Sequence, residues 1–180
     1  MQPVEARNIR SSFREIKVTG MVGKVMSESA DIAYELADAY ASQHLGRTLE
    51  AVTVNYTYSS HKGGDSASLA TALVIISDLL SICADKSTSV TGALSLNGMV
   101  LPVGCILAKI SGAANQGAVR IILPEGNRKE VECIPSQLLP DVELVYVSTF
   151  DEAVEALLHI SDLDERKGAW LSDSGSFIVK

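Results

Sequence analysis

The chain has 180 residues, 47% of them hydrophobic and 21% charged, the balance of one globular domain with a full core. A formal net charge of −7, with no Lys/Arg cluster, argues against a nucleic-acid surface. The longest apolar run, residues 69–82, is broken by Asp78 and too short to cross a bilayer, and residues 1–15 are too polar for a signal peptide; a soluble, cytoplasmic protein is expected, unless the chain is part of a longer, anchored one.

Residues 1–12 read as an irregular lead-in. Residues 13–22 alternate loosely and predict a strand. Ser27 or Ser29 is placed to cap a helix running to about His44. Its apolar positions Ile32, Ala33, Leu36, Ala37 and Tyr40 follow helical spacing, and Gly46 fits just past its end. Residues 49–58 predict a strand with Val52, Val54, Tyr56 and Tyr58 on one face. Residues 67–82 are apolar nearly all round, the pattern of a helix in the middle of a core.

Residues 87–96 and 99–103 predict strands joined by a tight Asn97-Gly98 turn. A further helix is expected from Gly104 to about Asn115, closed by Gly117, and then a short buried strand over 119–123 ending at Pro124. Residues 127–133 suit a turn or two of helix, and 142–147 a strand. Thr149 can cap a helix over 151–159, with Glu152 at the reach-back position of a capping box. The tail, residues 161–180, is polar but ends in a strand-like Phe177-Ile178-Val179. It is free to stay without structure or to add a strand to this domain or a neighbour. The whole reads as a single α/β or α+β domain over 1–180 with a mixed sheet.

Cys83, Cys105 and Cys133 are odd in number and scattered. They show no metal pattern and no disulfide framework, and reduced, buried thiols are expected. Gly20-Met21-Val22-Gly23-Lys24 lacks the spacing of a phosphate-binding loop, so ATP hydrolysis by that route is excluded.

The chemistry concentrates in His61-Lys62-Gly63-Gly64-Asp65-Ser66-Ala67-Ser68, between a predicted strand and the core helix. Glycine lets main chain approach a substrate closely. A helix's first turn offers unpaired N–H groups and a positive dipole end, the donors an oxyanion needs. Ser66 is the candidate nucleophile and requires a base. His44, His61 and His159 are one set of candidates, though no aspartate stands in an order typical of a Ser-His-Asp triad. Lys109 is another. It stands alone among Cys105, Ile106, Leu107, Ala108 and Ile110, and a lysine becomes a base only when burial or a neighbouring cation makes it neutral. Lys24 and Lys62 lie in more open, glycine-rich settings. Two plainer alternatives remain: Lys109 reaches out to water from a half-buried helix, and Ser66 is a helix cap sharing that role with Asp65 or Ser68.

Four ordered motifs add to this. They are Gly64-Asp65-Ser66-Ala67-Ser68; Thr91-Gly92-Ala93-Leu94-Ser95-Leu96-Asn97-Gly98; Val100-Leu101-Pro102-Val103-Gly104 with Lys109; and Gly117-Ala118-Val119-Arg120-Ile121-Ile122-Leu123-Pro124, on to Asn127. Together they resemble the proteolytic domain of Lon proteases, over roughly residues 53–158. The Gly-Asp-Ser-Ala-Ser form is most similar to the archaeal-type branch. The resemblance implies the Lon-type α/β fold, with a mixed sheet, a hairpin and packed helices.

It also implies a serine endopeptidase with a Ser66–Lys109 dyad. Thr91 would orient the lysine, and main-chain N–H groups near Asp65 and Ser66 would hold the oxyanion. No cofactor and no metal are implied. The expected partners are unfolded protein or peptide substrates, identical subunits in a homo-oligomeric ring such as a hexamer, and an ATPase module elsewhere. Two positions depart from the family pattern: Gly63 replaces a frequent acidic residue, and Cys105 replaces the second glycine of Pro-Val-Gly-Gly. A non-proteolytic Lon-like binding or regulatory module is the alternative.

Overall fold

The computed structural model describes residues 3–20, 22–57 and 64–158 together with the backbone of 177–179. Strand β1 (Val4–Ile9) pairs antiparallel with β3 (Ala51–Tyr56), and β2 (Glu15–Thr19) runs parallel to β3 on its other side. Residues 1–12 therefore hold a strand where an irregular lead-in was expected. Val4 and Ala6 are buried while Glu5 and Arg7 face outward, a period of two carried by only two small apolar residues. The alternation in β3 buries Val52, Val54 and Tyr56, as expected; Tyr58 lies outside the described residues.

Helix α1 (Lys24–Leu45) starts earlier than its serines suggested. Gly23 is its N-cap, and Ser29 turns its hydroxyl back to the Val25 carbonyl at 2.8 Å. Gly46 ends it in the left-handed conformation, with φ 61°. Helix α2 (Ser68–Leu80) is the centre of the main core, and Leu69, Ala72, Leu73, Val74, Ile75 and Ile76 are fully buried. It packs against α1, β1 and α5 (Phe150–Leu158). Asp78, the charge that interrupts its apolar run, accepts hydrogen bonds from the Asn8 N–H and Nδ2 at 2.6 and 2.8 Å, so the interruption ties β1 to α2.

The second half builds a parallel sheet in the order β4 (Thr88–Val90), β7 (Arg120–Pro124), β8 (Glu143–Val147). The expected strand over 87–96 is split at Thr91-Gly92. Its outer part, β5 (Ala93–Leu94), pairs antiparallel with β6 (Val100–Leu101) in a separate hairpin. The hairpin turn is wider than a two-residue loop. The Gly98 N–H donates to the Ser95 carbonyl and Gly98 takes φ 76°, the three-residue turn that places glycine in the left-handed region.

Helix α3 (Ile106–Ala114) lays Ile106, Ile110 and Ala113 on Ile121 and Leu123 of β7, in a second core that also includes Val131 of α4 (Arg128–Glu132). Short 3-10 turns at Glu125–Asn127 and Ser136–Leu138 connect this half. Thr149 accepts the Glu152 N–H at 3.2 Å, and Glu152 reaches back to the Ser148 N–H at 2.7 Å, so the capping box forms one residue out from its expected partner. Strand β9 (Phe177–Val179) pairs antiparallel with β1 and completes a mixed sheet in the order β2-β3-β1-β9. The tail thus adds its strand to its own domain.

The cysteines differ from expectation. All three are free, and all are exposed. Cys83 follows the C-cap of α2, Cys105 is the N-cap of α3 and Cys133 the C-cap of α4, so each sits at a helix end instead of on a packed face. No helix among the described residues is long and apolar enough to cross a membrane.

The Tyr56 hydroxyl lies 2.8 Å from Thr71 Oγ1, joining the end of β3 to the first turn of α2. Burial pushes this phenol above its usual range, against the opposing hydrogen bond from Thr71. The folded state therefore holds the proton more tightly than the unfolded chain does. That stabilisation is complete below the unfolded value of about 10 and is lost as pH rises through the folded value. Tyr56→Phe should make the alkaline fall of unfolding free energy shallower in denaturant titrations from pH 8 to 11. An equally steep fall would assign the alkaline limb to other groups, Tyr40 foremost.

Candidate active site

Ser66 sits in the turn that leads into α2. The Ser68 N–H and hydroxyl both donate to the Asp65 carbonyl, at 2.9 and 2.8 Å, and this closes the turn. Ser68 Oγ also accepts the Leu94 N–H at 2.8 Å. Gly92 completes the stitching: its N–H donates to the Ser66 carbonyl at 3.1 Å, and its carbonyl accepts the Leu69 N–H at 3.2 Å. A Cβ on Gly92 would lie 2.8 Å from Leu69 Cδ2 and 3.1 Å from Val100 Cγ1, so a side chain here would have to displace the buried Leu69 and Val100 methyls.

Lys109 arrives from α3, on the second core. Its Nζ donates to Ser66 Oγ at 3.0 Å, and both residues are half-buried. The two residues singled out from sequence are therefore in direct contact. Asp65 is exposed and contributes its main-chain carbonyl to the turn. Thr91 is buried at the end of β4 and immediately precedes Gly92. Its N–H donates to the Ile122 carbonyl at 3.0 Å, and its hydroxyl makes no hydrogen bond to Lys109 among the described residues.

Of the other candidates, His44 and Lys24 are described. His44 is at the end of α1, stacked on Tyr40 and 4.0 Å from Asp151. Lys24 is exposed beside Glu28. His61, Lys62, Gly63 and His159 fall outside the described residues. A cavity of about 300 Å³ opens between α1, the hairpin turn and the start of α5, lined by Leu36, Tyr40, Leu96 and Phe150 among others; neither Ser66 nor Lys109 lines it. Among the described residues no three His, Cys, Asp or Glu side chains gather to hold a metal ion.

Cys105 is the N-cap of α3, with φ 58° and ψ 39°, and its carbonyl accepts the Lys109 N–H at 3.1 Å. This is the left-handed region, where a side chain is strained and glycine is at ease. Sequence reasoning read Cys105 as a free thiol and as a departure from a family glycine; the positive φ supplies the physical reason for glycine there. Sequence reasoning also weighed Ser68 only as a cap and stopped at Asn127 as the end of a motif. Asn127 is buried and hydrogen-bonds both main-chain polar groups of Val103.

Fold and site together define a mixed α/β domain with a serine–lysine contact at the mouth of a buried helix. The family model described as the Lon protease (S16) C-terminal proteolytic domain matches residues 1–160, a wider span than the motifs alone suggested. A Lon protease of Phenylobacterium zucineum is 34% identical over 157 residues, covering 84% of this chain and 19% of its own length. Lon protease 2 of Borreliella burgdorferi is 30% identical over 158 residues, covering 86% of this chain and 20% of its own. The archaeal Lon protease of Pyrococcus abyssi is 32% identical over 159 residues, covering 87% and 16%. The chain belongs to the family of Lon protease C-terminal proteolytic domains. It spans a fifth or less of the length of these relatives.

Two substitutions probe this geometry. Ser68→Ala leaves the buried Leu94 N–H without its acceptor and should cost about 1–3 kcal/mol by denaturant titration. Cys105→Gly removes the left-handed strain and should raise stability by up to about 1 kcal/mol, whereas Cys105→Val, branched at Cβ, should lower it. A more stable valine variant would show that the backbone there does not hold the observed dihedrals.

Proposed function

We propose that this domain is a serine endopeptidase in which Ser66 is the nucleophile and Lys109 its base. The observation that carries the reading is the 3.0 Å contact between Lys109 Nζ and Ser66 Oγ at the entrance of α2. Lys109, uncharged, takes the hydroxyl proton as Ser66 attacks the scissile carbonyl. It then returns that proton to the departing amine. Main-chain N–H groups of Asp65 and Ser66 stabilise the oxyanion at the positive end of α2. Water then hydrolyses the acyl-serine ester, with Lys109 again receiving the proton.

The turn that presents Ser66 is held from both sides, by Ser68 on α2 and by Gly92 after β4, which keeps the hydroxyl in one place between turnovers. The substrate is an extended segment of unfolded protein or a peptide. Unfolding of folded substrates falls to an ATPase module, and the domain works within a homo-oligomeric ring. Both of these extend the family relationship, since the relatives are about five times longer than the matched region.

Incubation with unfolded casein and a fluorogenic peptide tests the reading. Ser66→Ala and Lys109→Ala should each lower kcat/KM at least about a thousandfold with little change in folding. Lys109→Arg should be equally inactive, because a guanidinium does not give up its proton. The parent's kcat/KM should rise with pH along the limb where the Lys109 ammonium loses its proton. Peptidase activity persisting in either alanine variant would rule the dyad out, and activity rising towards acid pH would rule out an amine as base.

A further inference from the structure

Lys109 reaches Ser66 from a helix whose start is not fixed by a side-chain cap of its own. What fixes that start lies in a different segment, the turn after β7. The Val103 N–H donates to Asn127 Oδ1 at 2.9 Å, and Asn127 Nδ2 donates to the Val103 carbonyl at 2.9 Å. The second Nδ2 hydrogen goes to Glu130 Oε2 at 3.0 Å. Both amide hydrogens and the amide oxygen are thus engaged, in a residue only 2% exposed.

The turn is itself seated. A Cβ on Gly126 would lie 3.2 Å from Pro102 Cβ and Cδ, so the glycine lets main chain close onto the proline ring. Arg128 forks onto Glu125 at 2.6 and 2.8 Å and lies 3.9 Å from the centre of the Tyr146 ring on β8. That arginine holds the Glu125 carboxyl below its usual range.

We infer that Asn127 is a positioning residue for the dyad: by gripping both polar groups of Val103 it sets where and at what angle α3 begins, and hence where the Lys109 amine ends. Val103 lies two residues before the α3 N-cap, and Lys109 lies in the first turns of that helix. A tilt at the helix start is magnified along the long lysine side chain. Misplacing a reacting group by roughly 1 Å costs on the order of a hundredfold in rate. This inference rests on the proposal that Ser66 and Lys109 are the catalytic pair.

The test compares Asn127→Ala and Asn127→Asp with the parent and with Ser66→Ala, all as full chains, on a fluorogenic peptide across pH. Asn127→Ala removes the grip and should lower kcat by roughly 10–100-fold with KM within about threefold, because the substrate surface is untouched. Asn127→Asp is the sharper variant. A buried carboxyl beside Glu130 and the Val103 carbonyl keeps its proton above the usual carboxylate range. Protonated, it restores both bonds to Val103; ionised, it faces the Val103 carbonyl oxygen and the Glu130 carboxylate. Its kcat relative to the parent at the same pH should be highest at about pH 6 and fall as pH rises, opposite in slope to the parent's own profile.

Loss of kcat in Asn127→Ala with that inverted ratio supports the inference. If the alanine variant does not fold, the slope of the Asn127→Asp ratio decides alone. A pH-independent ratio, parental kcat in Asn127→Ala, or a loss confined to KM overturns the inference while an inactive Ser66→Ala leaves the dyad standing. Activity in Ser66→Ala overturns the dyad itself, whatever Asn127 does.

Discussion

Everything at the site depends on how closely two main-chain segments approach at Gly92. The glycine donates to the Ser66 carbonyl and accepts from the Leu69 N–H, and a Cβ there would press on the Leu69 and Val100 side chains. A buried helix has little freedom of its own, because α2 is packed on all sides. Its first turn is where the chain could still adjust, and Gly92 removes that adjustment. The serine is therefore presented by the rigid centre of the core instead of by a mobile loop. Sites held on rigid elements keep their geometry within the tolerance that catalysis needs.

The second partner comes from an independent unit. α3 packs on β7 in a separate core, and the parallel sheet, the β5–β6 hairpin and α5 relate that core to α2. The Ser66–Lys109 contact thus joins two hydrophobic cores. Cys105 stands at the junction. It holds the left-handed dihedrals that the start of α3 requires, and it does so at a strain that glycine would not carry. The grip of Asn127 on Val103 lies just upstream of that strained residue, where a loosened backbone would otherwise relax.

The parts of this arrangement carried by local pattern were legible in the sequence. Helices α1, α2, α3 and α5, strand β3 and the left-handed Gly46 follow from periodicity and cap chemistry. Ser66 and Lys109 were drawn together by motif order, and composition around Lys109 alone left the question open. What escaped depended on distant partners. β1 buries only two small apolar residues, and its place is decided by β3, β9 and Asp78. The cysteines were expected inside because free thiols usually are, but each sits at a helix end that faces outward. Asn127 reads as the start of a short helix until Val103, 24 positions away, is found beside it.

A serine–lysine pair distributes its structural demands differently from a histidine triad. In a triad a carboxylate orients the base and favours its charged form. A lysine base needs the reverse, because a nearby carboxylate would hold the ammonium and keep the proton where it cannot be used. The amine must instead be aimed by contacts that bring no negative charge with them. The described groups that fix Ser66 and the start of α3 answer that demand: main-chain amides at Gly92, Leu94 and Val103, a hydroxyl at Ser68 and a neutral amide at Asn127. The Glu130 carboxylate accepts from the far side of that amide, and Glu125 is engaged by Arg128. Under the proposed dyad, main-chain amides, a hydroxyl and the Asn127 amide hold the turn of Ser66 and the start of the lysine's helix, in a chain with a net charge of −7.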